Sequence, residues 1–408
     1  MKCGLLGRKL GHSYSPQIHH HLGDYPYVLF EKEPEELASF LRNGDFTGIN
    51  VTMPYKKEVI PYLDELSTVA KELGAVNTII RKDDGTLVGH NTDHFGFQTM
   101  VHHSGICVQG KKCLVLGSGG ASNTAVHVLR DLGANVTVIS RSGSTNYNNL
   151  NLHHDAALIV NATPVGMYPH TGVSPLDLDL FPHLEGVLDV IYNPARTQLL
   201  LDAEQRGLIA QNGLLMLVAQ AKEASEWFTG TKISDRRIYE IHRRMRLQME
   251  NLILIGMPGC GKSTVGHLLA DKLGKEFADA DACIEADAGK TIPEIFAQDG
   301  ESRFRELETQ VLRELGKRSG LVIATGGGCV TREENYPLLH QNGTIFWLTR
   351  ELNKLPTNGR PLSQANSLAD LYEQRAPLYD RFADYIADND GSLESVFDRI
   401  VGALEVMP

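Results

Sequence analysis

Short apolar runs alternate with longer stretches in which apolar residues recur every three or four positions, and the alternation continues along the whole chain. The first kind predicts strands and the second predicts helices, so the pattern predicts an α/β architecture. "KCGLLG" (2–7) reads as a strand, "EELASFLRNG" (35–44) as a helix ended by glycine, and "FTGINVTMP" (46–54) as a strand running into a proline turn. "VNTIIRKDDGTLVGHNTD" (76–93) predicts a hairpin with "DDG" at its turn. "CLVLGSGGASNTAVHVLRDLGANVTVISRS" (113–142) is strand, glycine turn, helix and strand, one βαβ unit. "ALIVNAT" (157–163) and "GVLDVIY" (186–192) predict further strands, each followed by a helix. From 213 to about 246 the pattern is helical. "NLILIGMPGCGKSTVGHLLADKLG" (251–274) then opens a new strand–loop–helix, which makes 246–250 the best linker.

The chain has 408 residues, enough for two or three domains of about 150 residues each. Apolar content of 42% and charged content of 22% are those of an ordinary globular protein. The net charge is −11. With no basic run to offset it, that balance argues against nucleic acid or an anionic membrane as a partner. The six cysteines (Cys3, Cys107, Cys113, Cys260, Cys283 and Cys329) have no CxxC spacing and read as reduced, mostly buried thiols. The first residues lack a long apolar segment, so a cytoplasmic location is expected.

Two glycine loops carry the chemistry. In the second, Gly256, Gly261, Lys262 and Ser263 match GxxxxGK[ST] between an apolar run and an amphipathic stretch. Glycines let backbone N–H groups close around phosphates, the helix N-terminus adds its positive end, the lysine reaches the outer phosphates, and the hydroxyl suits Mg²⁺. Downstream, "EFADADACIE" sets Asp279 and Asp281 at i, i+2, so both are expected on one face of a strand end. Arg305 and Glu308 lie one helical turn apart, "VIATGGGCV" opens a strand into three glycines, and Arg360 and Arg375 follow. Acids, arginines and a triple glycine suit a small, anionic, hydroxylated acceptor.

These motifs resemble shikimate kinase over essentially all of 251–408. The resemblance implies a P-loop kinase domain with a parallel sheet. ATP would lie against Gly259, Cys260, Gly261, Lys262, Ser263 and Thr264, with Arg360 as the lid arginine and with Mg²⁺ on Ser263 and Asp279. Asp281 would face the acceptor hydroxyl, Arg305 and Arg375 would clamp the shikimate carboxylate, and Gly327 and Gly328 would give close backbone contact. The lid stretch "TRELNKLPTNGRPLSQANS" (349–367) departs from the family: it is shortened and lacks an extra basic residue.

In the first loop, Gly117, Gly119 and Gly120 have a dinucleotide-type spacing, and the next strand ends in Ser140, Arg141 and Ser142. An NAD enzyme usually places an acid there for the ribose 2′-hydroxyl. An arginine flanked by hydroxyls favours the 2′-phosphate of NADP(H) instead. Upstream lie four polar clusters: Ser13 and Ser15; Asn50, Thr52 and Lys56; Asn77; and Asn91 and Asp93. With "NATPVGM" (161–167), "DVIYNPARTQLL" (189–200) and "NGLLMLVAQA" (212–221), they resemble shikimate dehydrogenase across 1 to about 246.

That resemblance implies a Rossmann-type NADP domain at 101–212 and a substrate domain built from 1–100 and 213–246. It implies a catalytic pair of Lys56 and Asp93, and substrate contacts from Ser13, Ser15, Thr52, Asn77, Asn91, Tyr192 and Gln220. NADP(H) would meet Gly117, Gly119, Gly120, Ala121, Ser140, Arg141, Ser142 and Gly213. Together the halves imply reduction of 3-dehydroshikimate to shikimate with NADPH, then phosphorylation of shikimate with ATP and Mg²⁺. The alternatives are a dehydrogenase half that also accepts quinate, or an inactive regulatory protein built from the same domains. The histidine runs at 19–21, 102–103 and 153–154 point in different directions on a helix, and no acid–histidine set has zinc spacing, so no structural metal is expected.

Overall fold

The computed structural model describes residues 1–11, 13–355 and 368–406. Three sheets carry the chain, and each is built from consecutive sequence. The first contains β1 (Cys3–Gly7), β2 (Tyr27–Glu31), β3 (Gly48–Val51), β4 (Glu65–Leu66), β5 (Thr78–Arg81) and β6 (Leu87–His90), in the order β2-β1-β3-β5-β6-β4. Strands β1, β2 and β3 run parallel, while β5 pairs antiparallel with both β3 and β6. The β5–β6 turn is the expected hairpin: Gly85 adopts φ +87° and Lys82 N–H donates to Thr86 O at 2.9 Å.

The second sheet contains β7 (Lys112–Leu116), β8 (Asn135–Ile139), β9 (Leu158–Asn161), β10 (Gly186–Asp189) and β11 (Ile209–Gln211), all parallel, in the order β11-β10-β9-β7-β8. Successive residues of β7 feed two separate cores, Cys113 and Val115 on one face and Leu114 and Leu116 on the other. That double burial is why the strand reads as an unbroken apolar run rather than an alternating one. The third sheet contains β12 (Asn251–Ile255), β13 (Glu276–Asp279), β14 (Leu321–Ala324), β15 (Gly343–Thr349) and β16 (Tyr385–Asp388), all parallel, in the order β13-β14-β12-β15-β16. Its central strand β12 is fully buried, and the loop at its end lies at the carboxyl edge of the sheet, where α/β folds bind ligands.

Two expectations change. No α-helix follows β9; a loop and the short 3₁₀ turn Leu178–Leu180 lead to β10 instead. Strand β11 was not anticipated in "GLIAQ". Residues 246–249, at the start of the expected linker, form the last turn of the helix Arg236–Met249.

By internal contacts the chain forms two compact units: Met1–Val165 with Ser174–Tyr192 and Leu199–Met245, and Gly166–Val173 with Asn193–Gln198 and Arg246–Pro408. Among the described residues, no helix is long and apolar enough to cross a membrane.

Candidate active sites

In the first unit, the end of β3 and the start of the helix Asp93–Ser104 meet. Lys56 Nζ donates to Asp93 Oδ2 at 2.6 Å. The other carboxylate oxygen, Oδ1, accepts from Asn77 Nδ2 at 2.9 Å. Asn77 is 3% exposed; its Oδ1 accepts the Thr92 N–H at 2.7 Å, and its Nδ2 also donates to Thr92 Oγ1 at 3.0 Å. Asn91 completes the frame: its Oδ1 accepts the Asp93 N–H at 3.1 Å while its Nδ2 donates to Ala75 O at 3.0 Å. The Lys56 carbonyl accepts Val76 N–H at 2.7 Å, which ties its backbone to the segment that leads through Asn77 into β5. A charge-assisted bond of this length, with both acid oxygens occupied, fixes the ammonium in one place. The Lys56 side chain remains 30% exposed, so part of the ammonium faces solvent and an incoming ligand.

Gln220 reaches the same cluster from the helix Leu214–Thr229. Its Oε1 lies 3.4 Å from Thr92 Oγ1, and its Nε2 turns back to Leu217 O at 2.8 Å. Gly96 permits the approach, because a Cβ there would lie 2.6 Å from Met216 O and 3.0 Å from Gln220 Cβ.

Ser13, Ser15 and Tyr192 form a second group. Ser15 N–H donates to Ser13 Oγ at 3.2 Å, and the Tyr14 and Tyr192 rings meet edge to face at 6.1 Å between centroids. Burial raises the pKa of both phenols, so both hydroxyls stay protonated. Thr52 contributes backbone bonds, its N–H to Leu6 O at 2.9 Å and its carbonyl to Tyr55 N–H at 3.0 Å. Thr92 was missed as a site residue. The signal was its place inside the polar run "NTD", between two residues that were chosen.

The first glycine loop joins β7 to the helix Gly120–Asp131. Gly117 adopts φ +110°, and a Cβ there would lie 3.0 Å from Ala162 O. Gly119 and Gly120 have open space where a Cβ would stand, and the helix N-terminus leaves backbone N–H groups around Ala121 for an anion. Ser122 Oγ closes the turn by donating to Gly117 O at 2.7 Å. At the end of β8, Ser140 N–H donates to Thr145 O at 3.2 Å, and Arg141 and Ser142 are exposed. Gly213 caps the helix Leu214–Thr229 so tightly that a Cβ would stand 2.1 Å from Val190 O. If Arg141 reads a 2′-phosphate, Arg141→Ser removes a charge-assisted contact. The Kd for NADP⁺ should rise about 10- to 100-fold while that for NAD⁺ changes little. Equal losses for both nucleotides in a fluorescence titration would remove Arg141 from that role.

In the second unit, the loop after β12 turns on Gly256, Gly259 and Gly261, at φ +141°, +86° and +102°. Asn389 Nδ2 braces it by donating to Cys260 O at 2.7 Å, and a Cβ on Gly261 would lie 2.6 Å from that same nitrogen. Lys262 Nζ donates to the loop's own carbonyls, Gly256 O at 2.9 Å and Met257 O at 3.1 Å. Ser263 Oγ donates to Asp279 Oδ2 at 2.8 Å, beside an exposed Thr264. A hydroxyl and a carboxylate are the hard oxygen donors that Mg²⁺ takes.

Asp279 and Asp281 are not arranged as expected. The strand ends at Asp279, whose Oδ1 caps the helix Ala280–Ala288 by accepting N–H bonds from Asp281 at 3.0 Å and Ala282 at 3.3 Å. Strand alternation therefore does not place the pair; a helix N-terminus does.

Asp281 Oδ1, Glu308 Oε1 and Arg305 Nε are buried without hydrogen-bond partners. The two carboxylate oxygens converge at Gly326, where a Cβ would lie 2.6 Å from Glu308 Oε1 and 2.8 Å from Asp281 Oδ1. Burial raises the pKa of Asp281; Lys262 and Arg305 oppose the rise and Asp279 adds to it. Burial likewise raises the pKa of Glu308, which is 0% exposed, against the pull of Arg305.

Arg305, expected to clamp a ligand carboxylate, is paired here with Glu308 Oε2 at 2.7 Å and Glu301 Oε1 at 3.1 Å. It lies flat against Gly328, where a Cβ would come 2.2 Å from Arg305 Nη2. Arg375 Nη1 donates to Gly327 O at 3.0 Å, and the Tyr379 hydroxyl donates to the same carbonyl. Tyr379 was missed although it stands one helical turn after Arg375 in "QRAPLY". Arg360 lies outside the described residues.

Residues 258–405 match the shikimate kinase family model, and residues 5–79 match that of the shikimate dehydrogenase substrate binding domain. A shikimate dehydrogenase (NADP(+)) of Clostridium perfringens is 35% identical over 262 residues, covering 58% of this chain and 96% of that protein. The crystal structure of shikimate dehydrogenase 1 from Peptoclostridium difficile is 38% identical, with a TM-score of 0.55 over 60% of this chain and 98% of that one. A chorismate mutase/shikimate 5-dehydrogenase fusion protein from Clostridium acetobutylicum is 35% identical, with a TM-score of 0.57 over 60% of this chain and 96% of that one. The chain thus belongs, through its N-terminal part, to the shikimate dehydrogenase family, and it carries a shikimate kinase domain behind that part.

Proposed function

We propose that this chain is a bifunctional enzyme of the shikimate pathway, reducing 3-dehydroshikimate to shikimate with NADPH and then phosphorylating shikimate at its 3-hydroxyl with ATP. One observation carries the reading: a single chain holds a framed Lys56–Asp93 pair and a P-loop facing Asp281, two sites suited to the same hydroxy acid.

When bound, NADPH supplies the hydride in the first site, and ATP with Mg²⁺ supplies the phosphoryl group in the second. In the first site, Lys56 stabilises the developing alkoxide and delivers a proton to it, while Asp93 orients the ammonium and balances its charge. Asn77, Asn91 and Thr92 hold Asp93 still. Ser13, Ser15, Tyr192 and Gln220 are the hydroxyl and amide groups that would bind the substrate's polar edge. In the second site, Lys262 leaves the loop carbonyls for phosphate oxygens, and Ser263 with Asp279 would hold the metal. Arg305 and Arg375 take the substrate carboxylate, and Asp281 receives the proton of the attacking hydroxyl.

The test is a coupled assay. Purified protein given 3-dehydroshikimate, NADPH, ATP and Mg²⁺ should form shikimate 3-phosphate, and omitting NADPH should stop product at the first step. Folded protein that oxidises no shikimate with NADP⁺ would sink the dehydrogenase half of the reading and revive an inactive regulatory one. Quinate oxidised as fast as shikimate would replace strict shikimate selectivity with dual acceptance.

A further inference from the structure

Outside both sites, three helices of the first unit bring together residues that the sequence keeps apart. His94 lies in the first turn of the helix Asp93–Ser104, His127 and Asp131 lie at i, i+4 on the helix Gly120–Asp131, and Glu72 ends the helix Thr68–Leu73 on its exposed side. His94, His127 and Asp131 each place a ligand atom within 4.8 Å of the other two. Asp131 Oδ2 is 3.3 Å from His94 Nε2 and 3.0 Å from His127 Nδ1. Ligands held about 2.0–2.1 Å from a tetrahedral metal lie about 3.3 Å apart, so the two pairs that Asp131 makes already have that spacing.

The ring of His127 gives the stronger argument. Its Nε2 lies 3.3 Å from Glu72 Oε2, within ion-pair distance of that carboxylate. Nδ1 is buried and makes no hydrogen bond, although it faces the Asp131 carboxylate. A buried imidazole nitrogen without a hydrogen bond, 3.0 Å from a carboxylate oxygen, is a place where the two could share a cation. A carboxylate behind the outer nitrogen of a metal-binding histidine is the usual way such a ligand is oriented.

We propose that His94, His127 and Asp131, with Glu72 behind His127, bind a divalent transition metal of the zinc type. The fourth position would be left to water. Mg²⁺ is excluded by chemistry, because two imidazole nitrogens suit zinc, cobalt or nickel and not a hard oxygen-seeking ion. The sequence expectation of no metal rested on adjacent histidines and did not weigh the i, i+4 pair in "HVLRD", so this proposal departs from it.

A metal here would tie the helix that begins with Asp93 to the helix that begins at the first glycine loop. It would set the spacing between the Lys56–Asp93 pair and the nucleotide turn.

The experiment is titration of the full chain with Zn²⁺, and separately with Co²⁺, in excess Mg²⁺ and without nucleotide. The wild type should bind one equivalent with a tetrahedral Co²⁺ absorption, and Zn²⁺ should raise its Tm. His127→Gln should abolish the site and Asp131→Asn should weaken it at least tenfold, while Glu72→Gln should weaken it about 10- to 100-fold. An unchanged near-UV circular dichroism spectrum and metal-free Tm would confirm that the first unit of each variant is folded. Unchanged stoichiometry and affinity in His127→Gln and Asp131→Asn would overturn the proposal by moving binding elsewhere, for instance to the exposed Cys107. Absence of any binding by the wild type would overturn it as well, leaving a proton shared by His127 and Asp131.

Discussion

Replacing Lys56 with alanine is expected to lower dehydrogenase kcat by about 10²–10⁴-fold, the usual contribution of a positioned proton donor. By transition-state arithmetic this is about 3–5 kcal/mol of barrier. The effect should fall on kcat more than on KM, because Lys56 stabilises charge that appears only as hydride arrives. Folding should survive. Asp93 keeps its bonds from Asn77 Nδ2 and its own N–H bond to Asn91, and the Lys56 backbone bond to Val76 does not depend on the side chain. Kinase activity of the same preparation is the internal control and should be unchanged. Wild-type dehydrogenase turnover in the variant would remove Lys56 from the chemistry.

The second large effect is expected in the kinase half. Asp281→Asn should lower kinase kcat by about 10²–10⁴-fold. The replacement is close in shape, so the effect isolates the charge and the ability to accept a proton. Burial places the Asp281 pKa above the ordinary aspartate range, and only the carboxylate accepts a proton. The sign follows directly: as pH falls, a group with a raised pKa is protonated earlier than an ordinary aspartate. The acid limb of kinase kcat/KM should therefore begin above the ordinary carboxylate range, and the residual activity of Asp281→Asn should lack that limb. An identical acid limb in the variant would assign it to another group, of which Glu308 is the nearest in kind.

Much of the fold was legible because its strands are buried on both faces. The β7, β9, β10 and β12 runs are nearly continuous apolar text, as strands covered on both faces are. Strand β11 escaped because it is a short edge strand with an exposed Ile209 and a half-buried Gln211. The helix expected after β9 is absent: the scattered apolar residues of "PLDLDLF" serve a loop and a 3₁₀ turn instead.

In the sites, motif residues on one continuous segment were the easiest to find. Lys262, Ser263 and the glycines act together because backbone geometry alone brings them together. Thr92 and Tyr379 were harder, since their roles depend on partners elsewhere: Gln220 lies on another helix, and the Gly327 carbonyl accepts from two side chains at once. The pairing of Arg305 with Glu308 and Glu301 had a visible spacing, but spacing does not say whether a charge is free or already shared.

That pairing bears on selectivity. An unshared guanidinium in a half-closed pocket would hold any small anion that diffused in, and the site would spend much of its time blocked by solutes with nothing to phosphorylate. Because two internal carboxylates already share Arg305, an incoming anion gains only the difference between its own contacts and those it displaces. A bare anion has little else to offer. A ring acid also brings hydroxyls to the unpartnered oxygens of Asp281 and Glu308, and those added bonds tip the exchange. The acids around Arg305 thus act as built-in competitors, raising the threshold that a ligand must pass before the clamp lets go of the protein and takes hold of it.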